Sequence, residues 1–177
     1  EKSSVLPVGI DAPAAVDVER PDGEPPTILW NHRWSNDKGP DKFTEHLNDL
    51  EAEGHDFKLI LCGQQFAEVP PVLQSIRQRY RDRILHDGFA DSHETYTALL
   101  QSSDFVLHEP VQEYFGVSVA EAMSHGVIPI LKSAQAYSSW VPNAFLFEHA
   151  EERSAHWVNW QKEIARGRTL ALSLIHI

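Results

Sequence analysis

From Thr27 onward, short apolar runs alternate with longer amphipathic ones. Thr27–Asn31 precedes Asp41–Glu53, Phe57–Cys62 precedes Pro71–Arg81, and Ile84–His86 precedes Ser92–Gln101; Phe105–His108 precedes Ser118–His125, and Val127–Leu131 and Ala144–Phe147 close the series. Leu59-Ile60-Leu61 and Val127-Ile128-Pro129-Ile130-Leu131 do not alternate polar with apolar, so both faces of those strands are expected to be buried. Strands buried on both faces and separated by helices predict an α/β fold. The expected architecture is a Rossmann-like doubly wound, mostly parallel sheet of about six strands with helices on both faces. Within it Gly126 reads as a helix C-cap and Pro129 as a strand-edge residue.

The ends of the chain read differently. Residues 1–26 are rich in Pro, Gly, Asp and Glu, the composition of an interdomain linker, and Val5–Asp11 reads as the end of a preceding N-terminal domain. The core domain is expected over residues 27–171, with a helical stretch from about Ala150 to Arg168. One choice of codons for Leu172–Ile177 spells a sequencing-library adapter, so 172–177 are expected to be an adapter-derived tail on a truncated domain.

Composition narrows the chemistry. The 177 residues carry 15 Lys and Arg against 26 Asp and Glu, a net charge of −11, which argues against a generic nucleic-acid surface. Any polyanion must meet a local basic pocket. Cys62 is the single cysteine, so an internal disulfide is excluded, and no His–Cys spacing suits structural zinc. No apolar run approaches the ~20 residues of a membrane span, and the expectation is a cytoplasmic protein that does not engage a membrane. Glycine fingerprints for dinucleotides, the Walker loop, the Gly-x-Ser-x-Gly elbow and His-Glu-x-x-His do not occur.

In doubly wound sheets ligands sit beyond the carboxyl ends of the strands. Two loops there stand out. The first runs from Trp30 to Pro40 and holds Arg33 and Lys38, a fork and a point charge suited to a diphosphate, just before a helix that Pro40 can open. The same spacing also suits surface ion pairs, Arg33 with Asp37 or Lys38 with Asp41. The second runs from His108 to Gly126. Gly116 permits close backbone approach beside a helix N-terminus that offers free amides to an anion. Glu113 and Glu121, eight apart, can both face the crevice and accept hydrogen bonds from sugar hydroxyls. Ser118-x-x-Glu121 is equally a capping box. His32, His86 and His108 fall at strand ends, where a ligand or base role is the alternative to ordinary paired histidines; Trp30 and Trp34 read as core or crevice wall, Trp157 and Trp160 on the last helix as packing back onto the sheet, and Cys62 as a small buried residue.

Arg33-x4-Lys38, followed 75 residues on by Glu113-x7-Glu121 and then Gly126-Val127-Ile128-Pro129, resembles the nucleotide-sugar domain of family-4 retaining glycosyltransferases. Within that family, Ile28-Leu29-Trp30-Asn31-His32-Arg33-Trp34, Asp56-Phe57-Lys58-Leu59, Gly63-x-Gln65-Phe66-x-x-Val69-Pro70-Pro71 and Glu113-Tyr114-Phe115-Gly116-Val117 resemble the tRNA-queuosine alpha-mannosyltransferase group. The likeness covers about residues 27–147. It implies one half of a two-domain GT-B fold, with much of the acceptor site on the other domain, so that this half alone does not turn over.

The resemblance also implies roles. Arg33 and Lys38 clamp the diphosphate, Glu121 binds the ribose, Glu113 with the backbone of Tyr114, Phe115, Gly116 and Val117 holds the transferred sugar, and Gly63 with Asp87-Gly88-Phe89 borders the base. The donor would be GDP-mannose or a related sugar nucleotide, the acceptor a queuosine-modified tRNA nucleoside, and neither a metal nor another cofactor is called for. Another donor with a glycan, lipid or small-molecule acceptor, or a non-catalytic nucleotide-binding domain, are the alternatives. One departure is visible: Tyr137-Ser138-Ser139 stands where the group carries Tyr-Pro-Glu.

Overall fold

The computed structural model describes residues 9–10, 23–65, 69–134 and 136–173. Most of the expected linker (1–8 and 11–22), Phe66 of the string above and residues 174–177 of the expected tail lie outside the described residues.

Six strands, all parallel, form one sheet: β1 (Thr27–Trp30), β2 (Lys58–Leu61), β3 (Ile84–Asp87), β4 (Phe105–His108), β5 (Ile128–Lys132) and β6 (Leu146–Phe147), ordered β3-β2-β1-β4-β5-β6. Among the described residues seven helices join or follow them: α1 (Pro40–Ala52), α2 (Pro71–Arg79), α3 (His93–Gln101), α4 (Val117–Ser124), α5 (Tyr137–Trp140), α6 (Arg153–Lys162) and α7 (Ile164–Ser173). Right-handed crossovers leave β1 in one direction and β4 in the other, which puts their helices on opposite faces. Accordingly α1 packs with α2 and α6, and α4 with α7. The strand order reverses between β1 and β4, and the crevice beyond their carboxyl ends is where such sheets take ligands.

The non-alternating runs are buried as expected: Leu59, Ile60, Leu61, Ile128, Ile130 and Leu131 all sit in the core. Pro129 fits there because Ile128 donates its amide toward β4, to Asp104 O at 2.7 Å, so Pro129 faces the other side, where β6 pairs only from Leu131 onward. Gly126 closes α4 at φ 79°, its amide bonding Met123 O and the Val127 amide bonding Ala122 O, a complete Schellman motif. Trp157 and Trp160 pack back onto the sheet, against Phe105 and Phe145 with ring centroids 4.6 and 5.0 Å apart.

One expectation needs correction. The helical stretch from Ala150 is broken: a 3-10 turn (Ala150–Glu152) precedes α6, and the chain kinks at Glu163 before α7. The kink brings Gly167 so near β5 that a Cβ there would lie 2.6 Å from Ile128 Cδ1. The short helix α5 was not signalled by any periodicity. Leu172 and Ser173 form the last residues of α7, and Leu172 packs beside Gly126.

Candidate active-site cleft

The loop after β1 is anchored by aromatic stacking. Trp30 and Trp34 stack with centroids 4.7 Å apart, Trp30 Nε1 donates to His32 O at 2.7 Å, and the Trp34 amide reaches Gln64 O. A 3-10 turn (Asn36–Lys38) follows, and Pro40 opens α1 at its first position. The Asp37 carbonyl accepts both the Val111 and Gln112 amides, so this loop and the one after β4 are laced together.

That lacing sets the charged groups in register. Lys38 Nζ donates to Glu113 Oε2 at 2.7 Å, with both side chains largely buried. Glu113 Oε1 accepts the Tyr114 and Gly116 amides at 3.1 Å each. Burial is the largest influence on Glu113 and opposes ionisation; the Lys38 ammonium and a loop amide outweigh it and hold the carboxyl below its usual value. Of the two ion pairs that spacing allowed, Arg33 and Asp37 do meet, at 3.3 Å and half exposed, where such pairs add little. Lys38 reaches Glu113, not Asp41.

Gly116 caps α4 with φ 88°, a left-handed conformation, and a Cβ there would fall 2.4 Å from Tyr137 Cε1. Tyr137 in turn bonds His108 Nδ1 at 2.6 Å, and Trp140 donates to Phe115 O at 3.0 Å while stacking on the Phe115 ring. Thus α5, built from the segment that departs from Tyr-Pro-Glu, is the floor of the Glu113–Val117 loop.

Arg33, Lys38, Glu113, Tyr114, Phe115, Gly116 and Val117 line one chamber of about 320 Å³. Glu121 and Phe89 line a second, of about 440 Å³, with Tyr96 and Ala90. Asn31 and Arg33 border both chambers and form the ridge between them. Gly88 and Phe89 also border a third hollow with Gln65 and Arg77, where Arg77 grips Asp87 through Nε and Nη2 at 2.5 and 2.7 Å. Gly63 stands behind this wall: a Cβ on it would lie 1.8 Å from His32 O, and its neighbours Cys62 and Gln64 line the second chamber.

The capping-box reading of Ser118 and Glu121 is overturned. The cap is Gly116; Ser118 Oγ bonds His32 Nδ1 at 2.7 Å, and Glu121 Oε2 accepts from Tyr96 OH at 2.9 Å. His32 and His108 are buried and stacked, centroids 3.7 Å apart. Burial drives both below the ordinary imidazole value, His108 to about 3, so both are neutral. The Cys62 thiol is pushed by burial up to about 12 and is inert. The residues missed by sequence reasoning are Tyr96, Tyr137 and Trp140: a lone aromatic on a short helix carries no pattern that separates a site from a core.

A parallel doubly wound sheet whose reversal point opens on cations, helix amides and two carboxylates is a Rossmann-like domain built to hold a polar, anionic ligand. The chain belongs to the Glycosyl transferases group 1 family, whose profile matches residues 12–155. It is 29% identical over 120 residues to the tRNA-queuosine alpha-mannosyltransferase of Drosophila melanogaster, a match covering 68% of this chain and 32% of the relative. It is 30% identical over 106 residues to the GDP-mannose:cellobiosyl-diphosphopolyprenol alpha-mannosyltransferase of Xanthomonas campestris, covering 59% and 28%. The chain thus spans about a third of the length of these relatives. Among solved structures, the catalytic domain of cholesterol-alpha-glucosyltransferase from Helicobacter pylori superposes with TM-score 0.64 at 21% identity, covering 85% of this chain and 96% of that one. Anabaena Alr3699/HepE in complex with UDP-glucose superposes with TM-score 0.66 at 19% identity, covering 86% and 43%. These share the fold.

Proposed function

We propose that this domain is the donor-binding half of a retaining glycosyltransferase that moves mannose from GDP-mannose to a queuosine-modified tRNA nucleoside in the cytoplasm. The observation that carries the reading is the Lys38–Glu113 contact, braced by two loop amides and flanked by Arg33. In this reading Arg33, Lys38 and the first amides of α4 neutralise the departing diphosphate, a fixed electrostatic contribution of the kind worth about two to three powers of ten per donor removed. Glu113 and the Tyr114–Val117 backbone hold the sugar, and Glu121 takes the ribose across the Asn31–Arg33 ridge. Asp87-Gly88-Phe89 borders the base, with Gly63 supporting that wall from behind. The acceptor attacks from the face the diphosphate leaves, so configuration is kept, and no metal is called for. Both curated relatives are named as alpha-mannosyltransferases, which favours mannose; their acceptors differ, and the tRNA assignment follows the one that matches more of this chain.

GDP should raise the melting temperature of the domain, and Arg33→Ala or Lys38→Ala should each abolish the rise. Calorimetry with GDP, UDP and ADP ranks the bases, and GDP is expected to bind most tightly. Saturating GDP without heat or stabilisation overturns the proposal. Mannose transfer to queuosine tRNA by a full-length parent tests the acceptor.

A further inference from the structure

The second chamber contains a hydrogen-bond relay that joins Asn31 and Glu121 through Tyr96. Asn31, at the end of β1, donates both protons of its Nδ2: one to Ser118 O at 2.8 Å, the other to Tyr96 OH at 3.0 Å. Ser118 O can only accept, which fixes the orientation of the Asn31 amide. A phenol has one proton. With Asn31 donating into its lone pair, Tyr96 must give that proton to its remaining neighbour, Glu121 Oε2, at 2.9 Å. The relay therefore runs in one direction, from β1 through α3 to α4, and ends on a carboxylate lining the chamber. One oxygen of Glu121 is tied by a charge-assisted bond and the plane of the carboxylate is set, while Oε1 has no protein donor among the described contacts.

Resting on the donor-site reading above, we infer that Tyr96 is the positioning residue that presets Glu121 to accept the hydroxyls of a ribose. A glutamate on an exposed helix face samples several rotamers, and each must be given up when a ligand binds. Tyr96 removes that loss in advance. Because it acts through Glu121, its effect must be confined to the part of the ligand Glu121 touches. It should leave the diphosphate grip of Arg33, on the ridge, and Lys38, on its far side, unaltered.

The test compares GDP with 2′,3′-dideoxy-GDP by calorimetry on the unmodified chain, Tyr96→Phe, Glu121→Ala and the double variant. The unmodified chain is expected to prefer GDP by at least about tenfold, the usual worth of hydrogen bonds to a charged acceptor. Tyr96→Phe keeps the ring and its packing; it should weaken GDP by about tenfold, leave dideoxy-GDP unchanged and bring the preference to about twofold or less. In the Glu121→Ala background, Tyr96→Phe should change nothing further, since a positioning residue has no effect without the group it positions. A preference undiminished in Tyr96→Phe, or both ligands weakened equally, overturns the assignment of Tyr96 while leaving the donor-site reading intact. Failure of the unmodified chain to bind either nucleotide overturns both.

Discussion

Three histidines, His32, His46 and His108, are 2–3% exposed in the fold. Burial holds all three below the ordinary value of 6.5, His46 and His108 to about 3, with Arg153 adding to the effect at His46. Lowering the pH is thus a perturbation aimed at the core. In the unfolded chain His46 and His108 take up a proton near 6.5, and in the folded chain they do not until near 3, so the unfolded state binds more protons throughout that window; burial shifts His32 in the same direction. Stability is complete above pH 6.5 and is lost progressively as pH falls toward 3. At pH 5 His46 and His108 each cost about 2 kcal/mol and together about 4, a large part of the total stability of ~5–15 kcal/mol of a typical domain, and His32 acts in the same direction. Carboxylates titrate lower, so the slope between pH 6.5 and 5 belongs to these imidazoles. Urea unfolding followed by tryptophan fluorescence from pH 8 to 5 measures it. His46→Leu, on α1 away from the cleft, should reduce the slope near pH 5 by about 1.3 kcal/mol per pH unit. A flat stability profile down to pH 5, or an unchanged slope in His46→Leu, refutes the reasoning.

Other outcomes follow from single contacts. Gly116→Ala must both adopt a left-handed conformation and displace Tyr137, so it should cost more than the ~1–2 kcal/mol of the backbone alone and abolish nucleotide-induced stabilisation. Thermal melting with and without GDP reads both effects. Asp104, fully buried, accepts the Thr27 amide at 2.6 Å and Arg168 at 2.7 Å. Asp104→Ala should destabilise by about 3–5 kcal/mol by stranding the arginine, and adding Arg168→Met should recover part of that loss in urea denaturation.

Most of the sheet was legible because hydrophobicity is a local property: Val127–Leu131 lacks alternation, and a strand lacking alternation has to lie between two helical layers. The position of the two charged loops was legible as well, since both follow apolar runs that end at the same edge of the sheet, and the fold brings Arg33, Lys38 and Glu113 around one chamber. Of the two readings of Ser118 and Glu121 the capping box fails, because a capping box is defined by spacing alone. Gly116, two residues earlier, could take a left-handed turn and start the helix sooner, which freed Ser118 for His32 and Glu121 for Tyr96. Tyr96 and Trp140 could not be read at all. Their partners lie 25 residues away in each case, and only the folded chain brings them together.

The Asp37 carbonyl, shared by two amides of the opposite loop, ties the walls of the first chamber to each other. A ligand entering it meets a frame already closed at its hinge, so recognition there should be fast and little affected by temperature-driven loosening. An insertion that lengthens either wall would move the other with it, so variation in this chamber should arise from exchange of side chains, with loop length held constant.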